Sequence, residues 1–402
     1  MSTGVQPKLA SGGQPSKARI PLSRPDITEH ERAAVMEVLD SRWLSLGPKL
    51  TQFENAFADY LKIPYAVAVN SGTSALHLCV KAAGIGPGDE VITTPFSFVA
   101  SANCIQFEKG HPVFVDINAD TLNIDTASIP SAITPRTKAI LPVHVFGRPC
   151  DMTAIKQMAT TRGLKVIEDA CEAIGAKRDS HFAGTLGDAG TFAFYPNKQM
   201  TTGEGGMIVT SSEEIAVACR RWRNQGRGAP ASWLQHETLG YNYRLSDINC
   251  ALGIAQLSRL NGMLQKRADV ARKYTELLAR DVPEVLPPAP ALPGEKISWF
   301  VYVIRLRDEF SFEDRNEVMR QLNHHGIDCN NYFSPIHLQP FYREQFGYAP
   351  GDFPVCESVA ARTIALPFFN SLSDEEIKFV CSTIGSILGS LRRSKTFVAK
   401  RG

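Results

Sequence analysis

Seven short apolar runs, separated by segments long enough to hold a helix, dominate the first half of the chain. They are Tyr65-Ala-Val-Ala-Val69, Glu90-Val-Ile-Thr-Thr94, Pro112-Val-Phe-Val-Asp116, Ala139-Ile-Leu-Pro-Val143, Leu164-Lys-Val-Ile-Glu168, Ala189-Gly-Thr-Phe-Ala-Phe194 and Gly206-Met-Ile-Val209. Each is continuously apolar rather than alternating, which is the pattern of strands buried on both faces. With crossover-length spacers, this predicts a mostly parallel seven-stranded sheet between two layers of helices, a three-layer α/β/α domain.

The remaining chain is organised around two helical patterns. Asp26 or Thr28 can cap a helix carrying Glu29 and Glu31 in its first turn and running to about Leu39. A longer pattern opens at Ser246, with Leu245, Ile248, Leu252 and Ala255 at helical spacing, and continues through Leu260, Leu264 and Val270 toward Leu278. It reads as a spine between two domains. Prolines from Pro283 to Pro293 break it; Ser298-Trp-Phe-Val-Tyr-Val-Ile304 resumes as a strand, and a helix follows around Arg315 to His324. The expected division is a disordered tail over 1–20, a large domain over 21–268, a smaller C-terminal α+β domain over 269–390 and a basic tail over 391–402.

Charge narrows the function classes. The 402 residues hold 43 Lys+Arg against 41 Asp+Glu, a net of +2, which excludes the uniformly basic face of a nucleic-acid or membrane-surface binder. The surplus sits at the ends: Lys8, Lys17, Arg19 and Arg24 precede the first acid, and Arg392, Arg393, Lys395, Lys400 and Arg401 follow the last one. Without those nine the body is net −7. Nine cysteines, none closer than the 21 positions between Cys150 and Cys171, write neither a disulfide framework nor a Cys-x-x-Cys metal clamp. A reducing, cytoplasmic location is expected, with no metal.

In open parallel sheets ligands bind beyond the carboxyl ends of strands. Three such ends stand out. Asn70-Ser-Gly-Thr-Ser-Ala75 follows the first strand and opens onto a helix over Ala75 to Ala83, where free amides and the helix dipole favour phosphate, although any strand-to-helix turn prefers such residues. Glu168-Asp169-Ala170 ends another strand, where an acid is commonly a helix cap. Phe194-Tyr-Pro-Asn-Lys198 through Gly203-Glu-Gly-Gly206 holds one lysine between two buried strands; lysines are usually solvated, but this one is followed by glycines that suit a tight, inward turn. A phosphate cradle, a strand-end carboxylate and a loop lysine together make a pyridoxal 5'-phosphate site: the carboxylate keeps the pyridine nitrogen protonated and the lysine takes the aldehyde.

At this point the sequence resembles the DegT/DnrJ/EryC1/StrS sugar aminotransferase family, from about Ile20 to Leu388. The resemblance rests on Trp43-Leu-Ser-Leu-Gly-Pro-Lys49 with Phe53-Glu54, Asn70-Ser-Gly-Thr-Ser-Ala-Leu76, Gly86-Pro-Gly-Asp-Glu-Val-Ile92 and Phe96-Ser-Phe-Val-Ala100. It continues through Val143-His-Val-Phe-Gly-Arg-Pro149, Glu168-Asp-Ala170, Lys198 with Gly203-Glu-Gly-Gly206, Arg223-Asn-Gln-Gly226, Gly240-Tyr-Asn-Tyr-Arg-Leu-Ser-Asp247 and Ile336-His-Leu-Gln-Pro340. It implies PLP fold type I, the aspartate aminotransferase-like architecture, and a transaminase. By the same resemblance Lys198 links to the cofactor aldehyde and then shuttles a proton. Asp169 holds the ring nitrogen, Gly72 and Thr73 bind the phosphate, and Phe98 stacks on the ring. Asn242 reaches the cofactor phosphate of a neighbouring subunit, implying a homodimer with shared sites. Arg244 and His337 are implied as ligands of a nucleotide diphosphate, and placed cations such as Arg223, Arg227 and Arg244 would have to offset the negative body.

Two departures stand out. The family's usual Ser five residues before the lysine is Ala193, and the usual Gln or His three residues after the aspartate is Glu172, near the cofactor's phenolic oxygen. Glu at that place is shared with perosamine-type enzymes and leans toward amination at C4 of a 4-keto-6-deoxyhexose. The expected reaction moves an amino group from L-glutamate to a nucleotide-linked keto-deoxysugar. A cyclitol or another ketone as acceptor, and a PLP-binding sensory protein without turnover, are the alternatives. A related sugar dehydratase is disfavoured because it carries His where this chain has Lys198.

Overall fold

The computed structural model describes residues 19–228 and 235–399. The first 18 residues, most of the expected disordered tail, lie outside them.

The large sheet contains seven strands in the order β1-β9-β8-β5-β4-β2-β3. In chain order these are β1 (Tyr65–Val69), β2 (Glu90–Thr93), β3 (His111–Phe114), β4 (Thr137–Ile140), β5 (Lys165–Asp169), β8 (Ala189–Ala193) and β9 (Gly206–Thr210); the short β6 (Lys177–Arg178) and β7 (His181–Phe182) form an excursion between β5 and β8. β9 alone runs against its neighbours. The continuous apolarity is explained by burial on both faces. In β1, Val67 and Val69 point into one core while Ala66 and Ala68 point into another. The fold is the α/β architecture expected, with a mostly parallel seven-stranded sheet.

Helices α1 (Glu29–Ser41), α2 (Pro48–Leu61), α3 (Gly72–Ala82), α4 (Ala100–Phe107), α5 (Ile129–Ala132), α6 (Met152–Arg162) and α7 (Glu213–Arg223) accompany the sheet. Of the two candidate caps, Thr28 is the N-cap of α1 and completes a capping box with Glu31; Asp26 instead pairs with Arg259. The spine helix α8 (Asp247–Asp281) is capped by Ser246. Its first half buries Leu257, Leu260 and Leu264 beside the large sheet, and its second half buries Val270, Tyr274 and Leu278 in a separate core.

That second core is built from β10 (Val285–Leu286), β12 (Tyr302–Leu306) and β13 (Thr363–Leu366), with β11 (Glu295–Lys296) pairing to β6 instead. Around it lie α9 (Phe312–His324), α10 (Pro340–Phe346), α11 (Pro354–Ala360) and α12 (Asp374–Ala399). Three expectations are corrected here. The strand expected from Ser298 begins only at Tyr302, because Ser298 bonds to Gly147, Gln199 and Ile174 rather than to a neighbouring strand. Ile20 bridges to Ile327 and packs in the small-domain core, so the chain enters this unit before it builds the large one. Residues 391–399, expected as a tail, continue α12; residues 400–402 lie outside the described part. Among the described residues no helix is long and apolar enough to cross a membrane.

Candidate active site

Ser71 sits in extended backbone, its side chain accepting from the amide of Ser74, so the helix begins at Gly72 rather than at Ala75. The earlier start has a chemical consequence. Gly72 and Thr73 occupy the first turn, where main-chain N–H groups have no helical acceptor and the dipole is positive. The absence of a side chain at Gly72 is required by packing: a Cβ there would stand 2.7 Å from the Ala193 Cβ and 3.0 Å from the Cys171 Sγ.

Strand β5 carries two acids with opposite fates. Glu168 is fully buried and accepts from the amides of Gly184 (2.8 Å), Leu186 (2.6 Å) and Gly187 (2.6 Å), with His144 Nε2 at 2.9 Å. It fastens the turn after β7 to the sheet. Asp169, 4% exposed, points the other way, into a cavity. Its main chain is pinned by Pro142 O and the amide of His144, and its carboxylate accepts from Ser101 Oγ (2.7 Å) and the amide of Cys171 (3.1 Å).

Lys198 lies in the turn between β8 and β9. Its amide donates to Tyr195 O, and its carbonyl accepts from the buried guanidinium of Arg267 on α8 at 3.1 Å. The side chain reaches the cavity, with Nζ 3.9 Å from the centre of the Phe300 ring and 3.6 Å from Glu172 Oε1. Burial raises the Glu172 carboxyl above its ordinary range, against the opposing pull of Lys198 and the amide of Phe146.

These groups share one cavity of about 710 Å³ between the two cores. The large sheet contributes Gly72, Thr73, Phe98, Asp169, Glu172 and Lys198. The Phe98 ring is 62% exposed toward this space, an unusual position for a phenylalanine without a ligand face to cover it. From the other side come Phe300, Asn331, Tyr332, Phe333, Ser334 and Phe341. Ser101 was not anticipated from sequence. Its only signal is a second serine, Ser97, one helical turn earlier.

Four expected residues lie elsewhere. His337 is 0% exposed, packed on Phe353 and bonded to Glu357 at 3.1 Å, and it does not line the cavity of its own chain. Arg223 is likewise structural, paired with Glu54 and donating to Ala68 O beneath β1. Asn242 and Arg244 are absent from the cavity wall of their own chain. Asn242 is exposed and bridged to Asn224, which also accepts from Arg244 at 3.0 Å.

The donor set suits pyridoxal phosphate. A helix start whose first residue has no room for a Cβ can offer amides to a phosphate, and a buried carboxylate, an amine and a phenylalanine line the same cavity, the groups that a ring nitrogen, an aldehyde and a ring face would need.

Comparison with known proteins agrees. Residues 25–385 match the DegT/DnrJ/EryC1/StrS aminotransferase family. Similar proteins include the spore coat polysaccharide biosynthesis protein SpsC of Bacillus subtilis, 40% identical over 92% of this chain and 97% of the relative. GDP-perosamine synthase of Caulobacter vibrioides is 40% identical over 92% of this chain and 98% of the relative. Among solved structures, the PLP form of the putative sugar aminotransferase Spr1654 of Streptococcus pneumoniae superposes with a TM-score of 0.87 at 30% identity, covering 92% of this chain and 98% of that one. The chain therefore belongs to the DegT/DnrJ/EryC1/StrS aminotransferase family and is a pyridoxal phosphate-dependent transaminase of fold type I.

Proposed function

We propose that this enzyme transfers an amino group from L-glutamate to the carbonyl carbon of a nucleotide-linked keto-deoxysugar, with a lean to a 4-keto-6-deoxyhexose of the perosamine type. The observation that carries the reading is Lys198 Nζ projecting into the cavity that also receives Asp169 and the head of α3. Similarity to GDP-perosamine synthases and to a polysaccharide biosynthesis protein supports the sugar acceptor.

Pyridoxal phosphate, when bound, supplies the electron sink for charge on the substrate carbon and carries the amino group between the two half-reactions. The chain's own groups do the rest. Lys198 Nζ would be the group that removes the proton from the amino-acid substrate's carbon and returns one to the sugar carbon in the second half-reaction. Asp169 holds the ring nitrogen proton. The amides of Gly72 and Thr73, with the Thr73 hydroxyl, hold the phosphate; with Ala193 in the place of a serine, one hydroxyl contact is left to other groups. Phe98 covers the ring and excludes water, and Glu172, buried, faces the phenolic side.

The charged groups on the cavity wall are Asp169, Glu172, Glu204 and Lys198, three carboxylates against one amine. A cofactor phosphate and a nucleotide diphosphate need more positive charge than that. In a homodimer Asn242 would reach the cofactor phosphate of the neighbouring subunit as a neutral hydrogen-bond donor, and Arg244 is the cation proposed for the diphosphate.

Purified holoenzyme given L-glutamate should exchange its aldehyde-form absorbance for that of the amine form and release 2-oxoglutarate. The loaded amine form, offered UDP-, GDP- and TDP-linked 4-keto and 3-keto sugars, should give an aminosugar by mass spectrometry. Full conversion by glutamate with no amination of any keto sugar in the panel would overturn the acceptor assignment.

A further inference from the structure

Asp169 is usually the end of the account of a ring-nitrogen contact, but in this chain it is the last member of a buried hydroxyl relay. Ser97 and Ser101 stand one turn apart where the chain leaves β2 and enters α4, with Oγ atoms 2.8 Å apart; Ser101 Oγ is 2.7 Å from Asp169 Oδ2. All three residues are buried.

The direction of the relay follows from counting hydrogens. A serine hydroxyl has one. Ser101 donates its hydrogen to the carboxylate, so its lone pair must receive the hydrogen of Ser97. The other carboxylate oxygen, Oδ1, accepts from the amide of Cys171 at 3.1 Å. Each oxygen of the Asp169 side chain thus has one hydrogen-bond partner. Cys79 on α3, Cys104 on α4 and Cys171 are close enough to feel Asp169. Burial pushes all three thiols well above their ordinary range, so they stay neutral and add no competing charge. Hydrogen bonds in such a chain polarise one another, and the three residues are buried where they meet the cavity wall.

We propose that Ser101, backed by Ser97, is a positioning residue that fixes the orientation of the Asp169 carboxylate at the cavity wall, so that it would stay in register with the ring nitrogen of the cofactor. The hydroxyls act through Asp169. The inference rests on Asp169 facing the ring nitrogen, as proposed above.

The test loads the enzyme with pyridoxal phosphate labelled with ¹⁵N in the ring and reads the nitrogen's chemical shift, alongside the rate of the glutamate half-reaction. Ser101→Ala should move the resonance toward the unprotonated value and slow the half-reaction roughly tenfold or more, as expected for a lost hydrogen bond to a charged group. Ser101→Thr, which keeps the hydroxyl, should restore both. Ser97→Ala, which leaves the direct bond in place, should move the resonance in the same direction by less, and serves if Ser101→Ala folds poorly. Asp169→Asn is the control. If it shifts the resonance while neither serine variant does, the relay is overturned and the site reading stands; if Asp169→Asn leaves the resonance unmoved, the placement of Asp169 itself fails.

Discussion

Lys198 Nζ and Glu172 Oε1 stand 3.6 Å apart on the cavity wall, and the second oxygen of Glu172 is fixed by the amide of Phe146 at 2.9 Å. A buried acid whose carboxyl is raised above its ordinary range thus lies beside the amine proposed to act in the reaction.

The amine itself is the first prediction. Lys198→Ala should lose the visible absorbance of the covalently linked cofactor and slow the half-reaction with glutamate by roughly 10²–10⁴-fold, the range for a positioned proton-transfer group. Stopped-flow absorbance on protein reconstituted with pyridoxal phosphate measures both. Retention of the linked absorbance would place the reactive lysine elsewhere.

Glu172 predicts a pH dependence of stability in the cofactor-free protein. Its folded carboxyl holds its proton to higher pH than the unfolded chain does, so between the two values the native state binds more protons. Stability from this group is present at acid pH and is lost as pH rises through the raised value. Glu172→Gln has no proton to lose. The stability difference between wild type and variant should therefore move against the wild type as pH rises from the ordinary carboxylate range toward neutrality, in urea melts at a series of pH values. A difference that is flat with pH rejects the shift.

Gly72→Ala tests the cradle at the head of α3. The added methyl must displace Ala193 or Cys171, with contacts of 2.7 and 3.0 Å. Overpacking of this kind costs about 1–3 kcal/mol, and because it lifts the phosphate-binding amides, pyridoxal phosphate affinity should fall roughly tenfold. Equilibrium dialysis with the cofactor decides this; unchanged affinity would remove Gly72 from the phosphate site.

Glu168 is predicted to act on stability rather than on chemistry. Burial raises its carboxyl, but bonds from His144 and from the amides of Gly184 and Gly187 outweigh burial and hold it below the ordinary range. Glu168→Gln weakens charged hydrogen bonds and turns an amide donor toward other donors, costing about 3 kcal/mol. Chemical denaturation should show that loss.

The proposed sharing of active sites between subunits gives a complementation test. Lys198→Ala and Asn242→Ala subunits, each nearly inactive alone, should recover turnover when co-refolded, because one of the two sites in a mixed dimer would carry neither substitution. No recovery would indicate sites complete within one chain.

Much of the fold was legible because strand burial leaves a direct mark. Tyr65–Val69 reads as a strand with the bounds it has, since five apolar residues between a proline and a glycine-containing turn have few alternatives. Lys198 and Asp169 were legible through their positions after such strands. The start of α3 was misread by three residues because Gly and Thr are poor helix formers; Ser71 overrides that propensity by capping. His337 and Arg223 were misread for a different reason. A histidine in a short turn or an arginine at the end of a helix gives no sign of which way it points, and Glu357 and Glu54 draw them inward.

The sequence by itself determined the layered α/β architecture, the loop that carries Lys198 and the strand that carries Asp169, because apolar runs and glycine-rich turns act through local sterics and burial. Only the tertiary structure decided what those residues meet. Whether Asp169 is held by Ser101, whether Lys198 rests on Phe300 and faces Glu172, and whether an arginine supports the cavity or the core depend on contacts between segments up to about a hundred residues or more apart. Such pairings are set by the packing of whole elements, and no local pattern of residues encodes them.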